Sequence, residues 1–234
     1  MATTAEPTET PKPLSAEDLF DAVGPAYETA FASLETLPAS ITWLLTELSK
    51  PEGPSNGSTA RIVDIGCGTG VPACSKLADA GHDVLGIDIS SAMIHAARER
   101  VPNATFEKLD FRHFNPSPDS FDAVTIFFSL IAGVTPDEIR GFIKKAFQFV
   151  KPGGYLVWST VPLAAENLPL AWMGRHTTVS SLSPEDAIDA VAEAGFTVVE
   201  VNKSVFLPKG YEAGICKEED VWEEPHIFIY ARKP

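Results

Sequence analysis

The sequence predicts an α/β domain with a doubly wound, mostly parallel sheet covered by helices on both faces. Three observations predict it. From residue 60 onward, strand-like and helix-like segments alternate, the pattern of parallel strands joined by crossover helices. The first strand, "ARIVDI" (60–65), runs straight into glycines at alternate positions, Gly66, Gly68 and Gly70. The segment "FDAVTIFFSL" (121–130) is almost continuously apolar, as a strand buried on both faces must be. A chain of 234 residues suits one such domain with additions and is short for two.

The elements follow in order. Residues 1–13 are rich in Thr, Pro and Glu and read as a disordered tail. Residues 14–50 read as a helical lid of two or three short helices, broken at Gly24-Pro25 and at Pro38. Ser15 with Asp18 makes a near capping box at its start. Residues 51–59 form a loop, and residues 60–234 form the main domain. After the first strand a helix is expected at roughly 70–80, with Gly81 as its terminal glycine. The second strand is 82–88 and the second helix 90–100, capped by Ser90 or Ser91. Residues 104–110 alternate like a third, more peripheral strand. The fourth strand, 121–130, leads to an amphipathic helix at 135–150 with a Thr cap, an acidic first turn and Pro152 just beyond. The fifth strand is 154–161. Residues 162–182 break the rhythm and read as an insertion. A helix at 183–195 has Ser183 as cap, Pro184 in its first turn and Gly195 after it. The last two strands are 196–202 and 226–234, and the long loop between them suits antiparallel pairing.

Composition narrows the partners. The formal net charge is −14, with no basic stripe to offset it, so nucleic acid and anionic membranes are not expected to bind. A small molecule is the expected partner, with the chain a monomer or homodimer. Cys67, Cys74 and Cys216 give neither a disulfide framework nor a zinc spacing, so no metal is expected. The N-terminus lacks the pattern of a secretory signal and no run is apolar enough to span a bilayer, which makes a reducing cytoplasm the expected compartment.

A glycine-rich turn between the first strand and first helix is the nucleotide site of a doubly wound sheet. Tight packing of a loop also needs glycine, so the turn alone decides little. Two details sharpen it. The spacing is G-x-G-x-G, not the G-x-G-x-x-G of dinucleotide binders, and Asp64 precedes the first glycine by two. A carboxylate there disfavours a pyrophosphate and favours a cationic ligand. The second strand ends in Asp88, placed to accept from ribose hydroxyls, and the third in Asp110, placed to accept from an adenine amino group. Ile89 and Phe111 flank them as walls for the purine.

These residues resemble the class I S-adenosylmethionine-dependent methyltransferases, of the type related to ubiquinone-biosynthesis enzymes. The resemblance rests on "VDIGCGTG", "GIDIS" with "SAMIHAA", "LDF", "FDAVTIFFSL" and "FVKPGGYLV", and covers about residues 15–160 well. It implies a Rossmann-like seven-stranded sheet in the order 3-2-1-4-5-7-6 with the last strand antiparallel. It implies S-adenosylmethionine as cofactor, leaving as S-adenosylhomocysteine. Gly66, Cys67, Gly68, Ser129 and Leu130 would border the methionine half, Asp64 its ammonium and Tyr27 its carboxylate. Met93 would join Ile89 beside the adenine.

The acceptor is less legible. Phe20, Phe31, Trp43, Phe128, Trp172 and Met173 are candidate pocket walls, although aromatics at such spacing also build cores. They point to a small, fairly hydrophobic metabolite, with O-methylation favoured. His176, in the insertion, is the candidate acid–base group. Two other readings stay open. One uses the cofactor's charge in a rearrangement or cyclisation without methyl transfer; the other is a non-catalytic binding protein on the same fold.

Overall fold

The computed structural model describes residues 12–234; the tail expected over 1–13 lies outside the described residues up to residue 11. Seven strands form the main sheet: β1 (Arg61–Ile65), β2 (Asp83–Asp88), β3 (Thr105–Lys108), β4 (Phe121–Phe127), β5 (Val150–Thr160), β8 (Thr197–Phe206) and β9 (Glu224–Arg232). Their order is β3-β2-β1-β4-β5-β9-β8. The first five run parallel, while β9 is antiparallel to both β5 and β8. This is the expected order 3-2-1-4-5-7-6, because β6 (Ala165–Trp172) and β7 (Arg175–Ser181) stand outside the sheet.

Period-two alternation builds a core on each face. Ile62, Ala123, Phe228 and Tyr230 point to one side, where α3 (Thr36–Leu48), α4 (Ala73–Asp79) and α5 (Ser91–Arg100) cover them. Val63, Ile65, Val124, Ile126 and Ile229 point to the other, under α6 (Pro136–Phe149) and α7 (Pro184–Glu193). The helix starts follow the sequence signals. Thr135 and Glu138 close a full capping box on α6, and Ser183 caps α7.

Two expectations change. Pro38 does not break a helix; it lies in the first turn of α3, where a missing N–H leaves no hydrogen bond unmade. The break instead falls between α2 (Ala26–Phe31) and α3, after α1 (Ala16–Val23) has ended at Gly24. The inserted residues form an antiparallel hairpin, β6 (Ala165–Trp172) and β7 (Arg175–Ser181), with Gly174 at positive φ in its turn. Among the described residues no helix is long and apolar enough to cross a membrane.

Candidate active site

The carboxyl ends of β1 to β4 surround a cavity of about 110 Å³. The glycine turn divides its labour. Gly66 lies at φ +71°, and a Cβ there would overlap the Ser129 side chain. Gly68 lies at φ +54°, and a Cβ there would meet nothing within 4 Å. One glycine therefore lets two strand ends pack, and the other leaves the cavity side of the loop bare.

Asp88, at the end of β2, fixes this loop to the next helix. Its Oδ2 accepts from the Gly68 N–H at 2.9 Å and its Oδ1 from the Ser90 N–H at 2.8 Å. Burial raises the Asp88 pKa, partly offset by those donors. Ile89, Met93 and Phe111 line the cavity beside it, as does Asp110. The Asp110 carboxylate accepts from Arg112 through its backbone N–H at 2.9 Å and its guanidinium at 3.0 Å.

The end of β4 is strained. Phe128 and Leu130 hold φ of +53° and +59°, a region that bulky side chains rarely enter. Between them Ser129 donates to the Ile65 carbonyl at 2.6 Å. All three line the cavity, together with Phe20 of α1 and Tyr27 of α2. Burial, then the charges of Glu224 and Asp88, push the Tyr27 pKa upward, so its hydroxyl stays a proton donor.

Two expected residues sit behind the wall rather than in it. Asp64 is buried on the α4 side of β1, accepting from Thr125 Oγ1 at 2.6 Å and from Cys74 Sγ at 3.4 Å. Burial pushes its pKa up to about 6. Cys67 is also buried, its Sγ turned toward Gly86, and neither residue lines the cavity.

A second cavity, of about 170 Å³, adjoins the first. Phe20, Tyr27 and Phe128 belong to both walls. Of the candidate pocket walls, Phe31 and Trp172 line it, with Leu170, Thr177 and Val179 of the hairpin. Three expected residues do not. Trp43 packs its ring 5.7 Å from Tyr155 and 4.7 Å from Tyr230, within the helix layer under the sheet. Met173 is buried in the core at the hairpin turn. His176 is exposed, because Thr177 and Val179 face the cavity and alternation turns His176 away. None of α3 reaches either cavity, so only α1 and α2 of the N-terminal helices do.

The residue that sequence reasoning missed is Glu224. It lines the second cavity although it is only 6% exposed. Its Oε1 accepts from Trp172 Nε1 at 2.8 Å, and its Oε2 lies 3.3 Å from His226 Nε2. The ring of His226 packs 4.4 Å from that of Phe128. The available signal was alternation, which sets Glu224, His226 and Phe228 on one face of β9.

Comparisons with known proteins agree with this geometry. A methyltransferase-domain family matches residues 62–154. Demethylmenaquinone methyltransferase from Clavibacter sepedonicus is 30% identical over 181 residues, covering 74% of this chain and 68% of that one. Ubiquinone biosynthesis O-methyltransferase from Sinorhizobium medicae is 27% identical over 191 residues, covering 74% and 73%. The crystal structure of an S-adenosylmethionine-dependent methyltransferase from Mesorhizobium loti superposes with a TM-score of 0.62 at 22% identity, covering 87% of this chain and 100% of that one. With the glycine turn, the strand-end acids and the sheet order, these matches place the chain in the class I S-adenosylmethionine-dependent methyltransferases, with S-adenosylmethionine as its cofactor.

Proposed function

We propose that the enzyme methylates a hydroxyl oxygen on a small, fairly hydrophobic metabolite. The observation that carries this reading is the wall shared by the two cavities. Phe20, Tyr27 and Phe128 border both, so a donor in the first and an acceptor in the second meet across it.

The residues of the first cavity fit the cofactor. The bare face of Gly68 lets a ligand approach the backbone, and Asp88 stands beside it with lone pairs for two ribose hydroxyls. Ile89, Met93 and Phe111 supply apolar faces for a purine, and Asp110 an acceptor for its amino group. Gly66, Ser129 and Leu130 border the methionine half, with the Tyr27 hydroxyl as a donor toward its carboxylate. Asp64 acts from beneath the loop through its charge, which favours a cation above it.

S-adenosylmethionine supplies an electrophilic methyl group on a positively charged sulfur. The protein's part is to orient the acceptor and keep water away. Helices α1 and α2 and the hairpin act as the lid. Asp21 of α1 ties it to the core, accepting from Ser90 Oγ at 2.5 Å and from the Ala92 N–H at 3.1 Å. The second cavity exposes mainly apolar side chains, which suits an aromatic or alicyclic acceptor.

Calorimetry tests the cofactor site first, with S-adenosylhomocysteine as probe. Purified enzyme is then given S-adenosylmethionine and a panel of hydroxylated aromatics, and S-adenosylhomocysteine release is followed by mass spectrometry. Release that depends on a phenolic acceptor supports the reading. Acceptor consumption without release, or release only with carboxylates or thiols, refutes it.

A further inference from the structure

The second cavity carries an unusual charge for an apolar space. Its described lining includes Glu223 and Glu224 but no lysine or arginine. Glu224 is almost buried, and burying a carboxylate is expensive unless donors hold it. Trp172 gives it one hydrogen bond from the hairpin, and His226 a second from its own strand. A carboxylate has about four acceptor sites, so two remain for whatever enters the cavity. His226 is buried as well, and among the described residues its Nδ1 has no partner. Among the described residues its one polar contact is Glu224, and an ionised carboxylate can only accept, which assigns Nε2–H as the donor. Phe128 and Phe206 hold that ring from the sides.

We propose that Glu224 is the general base of the reaction, with Trp172 and His226 as its positioning residues, and that the acceptor is a neutral phenol rather than an anion. This rests on the methyl-transfer reading above. The acceptor's O–H bond breaks and its proton passes to a Glu224 oxygen. The electron pair left on oxygen forms the new bond to the methyl carbon. The carbon–sulfur pair leaves with sulfur, which becomes a neutral thioether, and Glu224 later returns its proton to solvent. A phenol titrates near 10, so about one molecule in a thousand is ionised at neutral pH. A positioned base recovers a factor of about 10² to 10⁴. An anionic acceptor would instead meet two carboxylates with no lysine or arginine in the described lining to offset them.

The test compares two acceptors of similar shape. 4-Nitrophenol ionises in neutral buffer and needs no base; 4-methylphenol titrates near 10 and does. Glu224→Gln is expected to lower kcat/KM for 4-methylphenol by about 10² to 10⁴ while changing that for 4-nitrophenol less than about tenfold. Equal losses for both acceptors overturn the proposal, because a merely structural role slows both alike. If Glu224→Gln does not fold, Glu224→Asp is expected to show the same selectivity in weaker form, and equal losses there overturn it too. A second readout needs no turnover. In the S-adenosylhomocysteine complex, the absorbance of bound 4-nitrophenol reports its ionisation. The other titratable groups around Glu224 are Tyr27 on α2, His226 on β9 and neighbouring Glu223. The wild type is expected to hold the probe neutral to a higher pH than Glu224→Gln does; coinciding titrations overturn the assignment. If S-adenosylhomocysteine binds but neither phenol binds or reacts, the acceptor class falls and this base with it. Turnover of both phenols with no Glu224 selectivity leaves the methyl-transfer reading standing and removes this inference alone.

Discussion

Replacing Gly66 by Ala should damage folding and binding together, whereas Gly68→Ala should damage mainly binding. Both glycines hold positive φ, and a non-glycine residue there costs about 1–2 kcal/mol. At Gly68 the new methyl meets nothing within 4 Å, so the backbone cost is the whole folding penalty. At Gly66 it overlaps Ser129, whose hydroxyl lies 2.8 Å from the added carbon. Ser129 must move, which adds about 1–3 kcal/mol of overpacking. Its 2.6 Å hydrogen bond to the Ile65 carbonyl is lost as well, adding about 1 kcal/mol. The Gly66 variant is therefore weakened by about 3–6 kcal/mol in total. For a chain of this size about 2–4 °C of Tm follow each kcal/mol, giving falls of roughly 6–24 °C for Gly66→Ala and roughly 2–8 °C for Gly68→Ala. Gly68 lines the first cavity, so on the proposed placement of the cofactor its methyl should lower affinity for S-adenosylhomocysteine by about tenfold or more without much loss of stability. Thermal melts followed by circular dichroism, with calorimetry for binding, decide it. A Gly66→Ala protein that melts above Gly68→Ala, or a Gly68→Ala protein that binds like the wild type, would refute the division of labour.

Asp88→Ala removes the acceptor for two backbone N–H groups and, on the proposed placement of the cofactor, for the ribose, so calorimetry should show S-adenosylhomocysteine bound about 10- to 100-fold more weakly. Asp64 is raised from 3.8 to about 6, so the stability linked to its proton is complete below 3.8 and is lost as pH rises through 6. Asp64→Asn should therefore be more stable than the wild type by about 1–3 kcal/mol at pH 8, with the gap closing toward pH 4; urea unfolding at the two pH values checks it. Trp43→Ala should cost about 3 kcal/mol of stability, the low end for a large ring because Trp43 is half-buried, yet leave S-adenosylhomocysteine affinity unchanged, since its ring packs on Tyr155 and Tyr230. His176→Ala should leave the melting temperature, the affinity and the turnover rate unchanged, and a tenfold loss of rate would restore His176 to the site.

The first cavity was legible because backbone constraints name the residues that build it. A loop at positive φ asks for glycine, and an acid at a strand end is read from its place in the chain. Even the misplaced Asp64 was readable in principle. In β1 the side chain alternates with Val63 and Ile65, which puts Asp64 on the Ile62 face, toward Cys74 of α4 rather than toward the cavity. His176 was misjudged for a related reason. Until Ala171 and His176 are known to pair across a hairpin, nothing fixes which face of the insertion His176 occupies.

The second cavity resists such reading because its walls come from five distant segments: α1–α2, the end of β4, the end of β5, the hairpin and the start of β9. Most of those walls ask only for an apolar surface, and many residue types supply one. Phe31 and Trp43 look alike in sequence, yet one lines the cavity and the other packs in the helix layer. Glu224 and His226 are different, because a buried polar group needs a particular partner. In "EEPHIFIY" a carboxylate and an imidazole share the inward face of a strand whose other residues there are Phe228 and Tyr230. An apolar pair at those two positions would avoid the cost of desolvation. Local interruption of an apolar face is thus the trace that a remote, side-chain-built site leaves in the sequence, and here it marks the carboxylate that lines the second cavity.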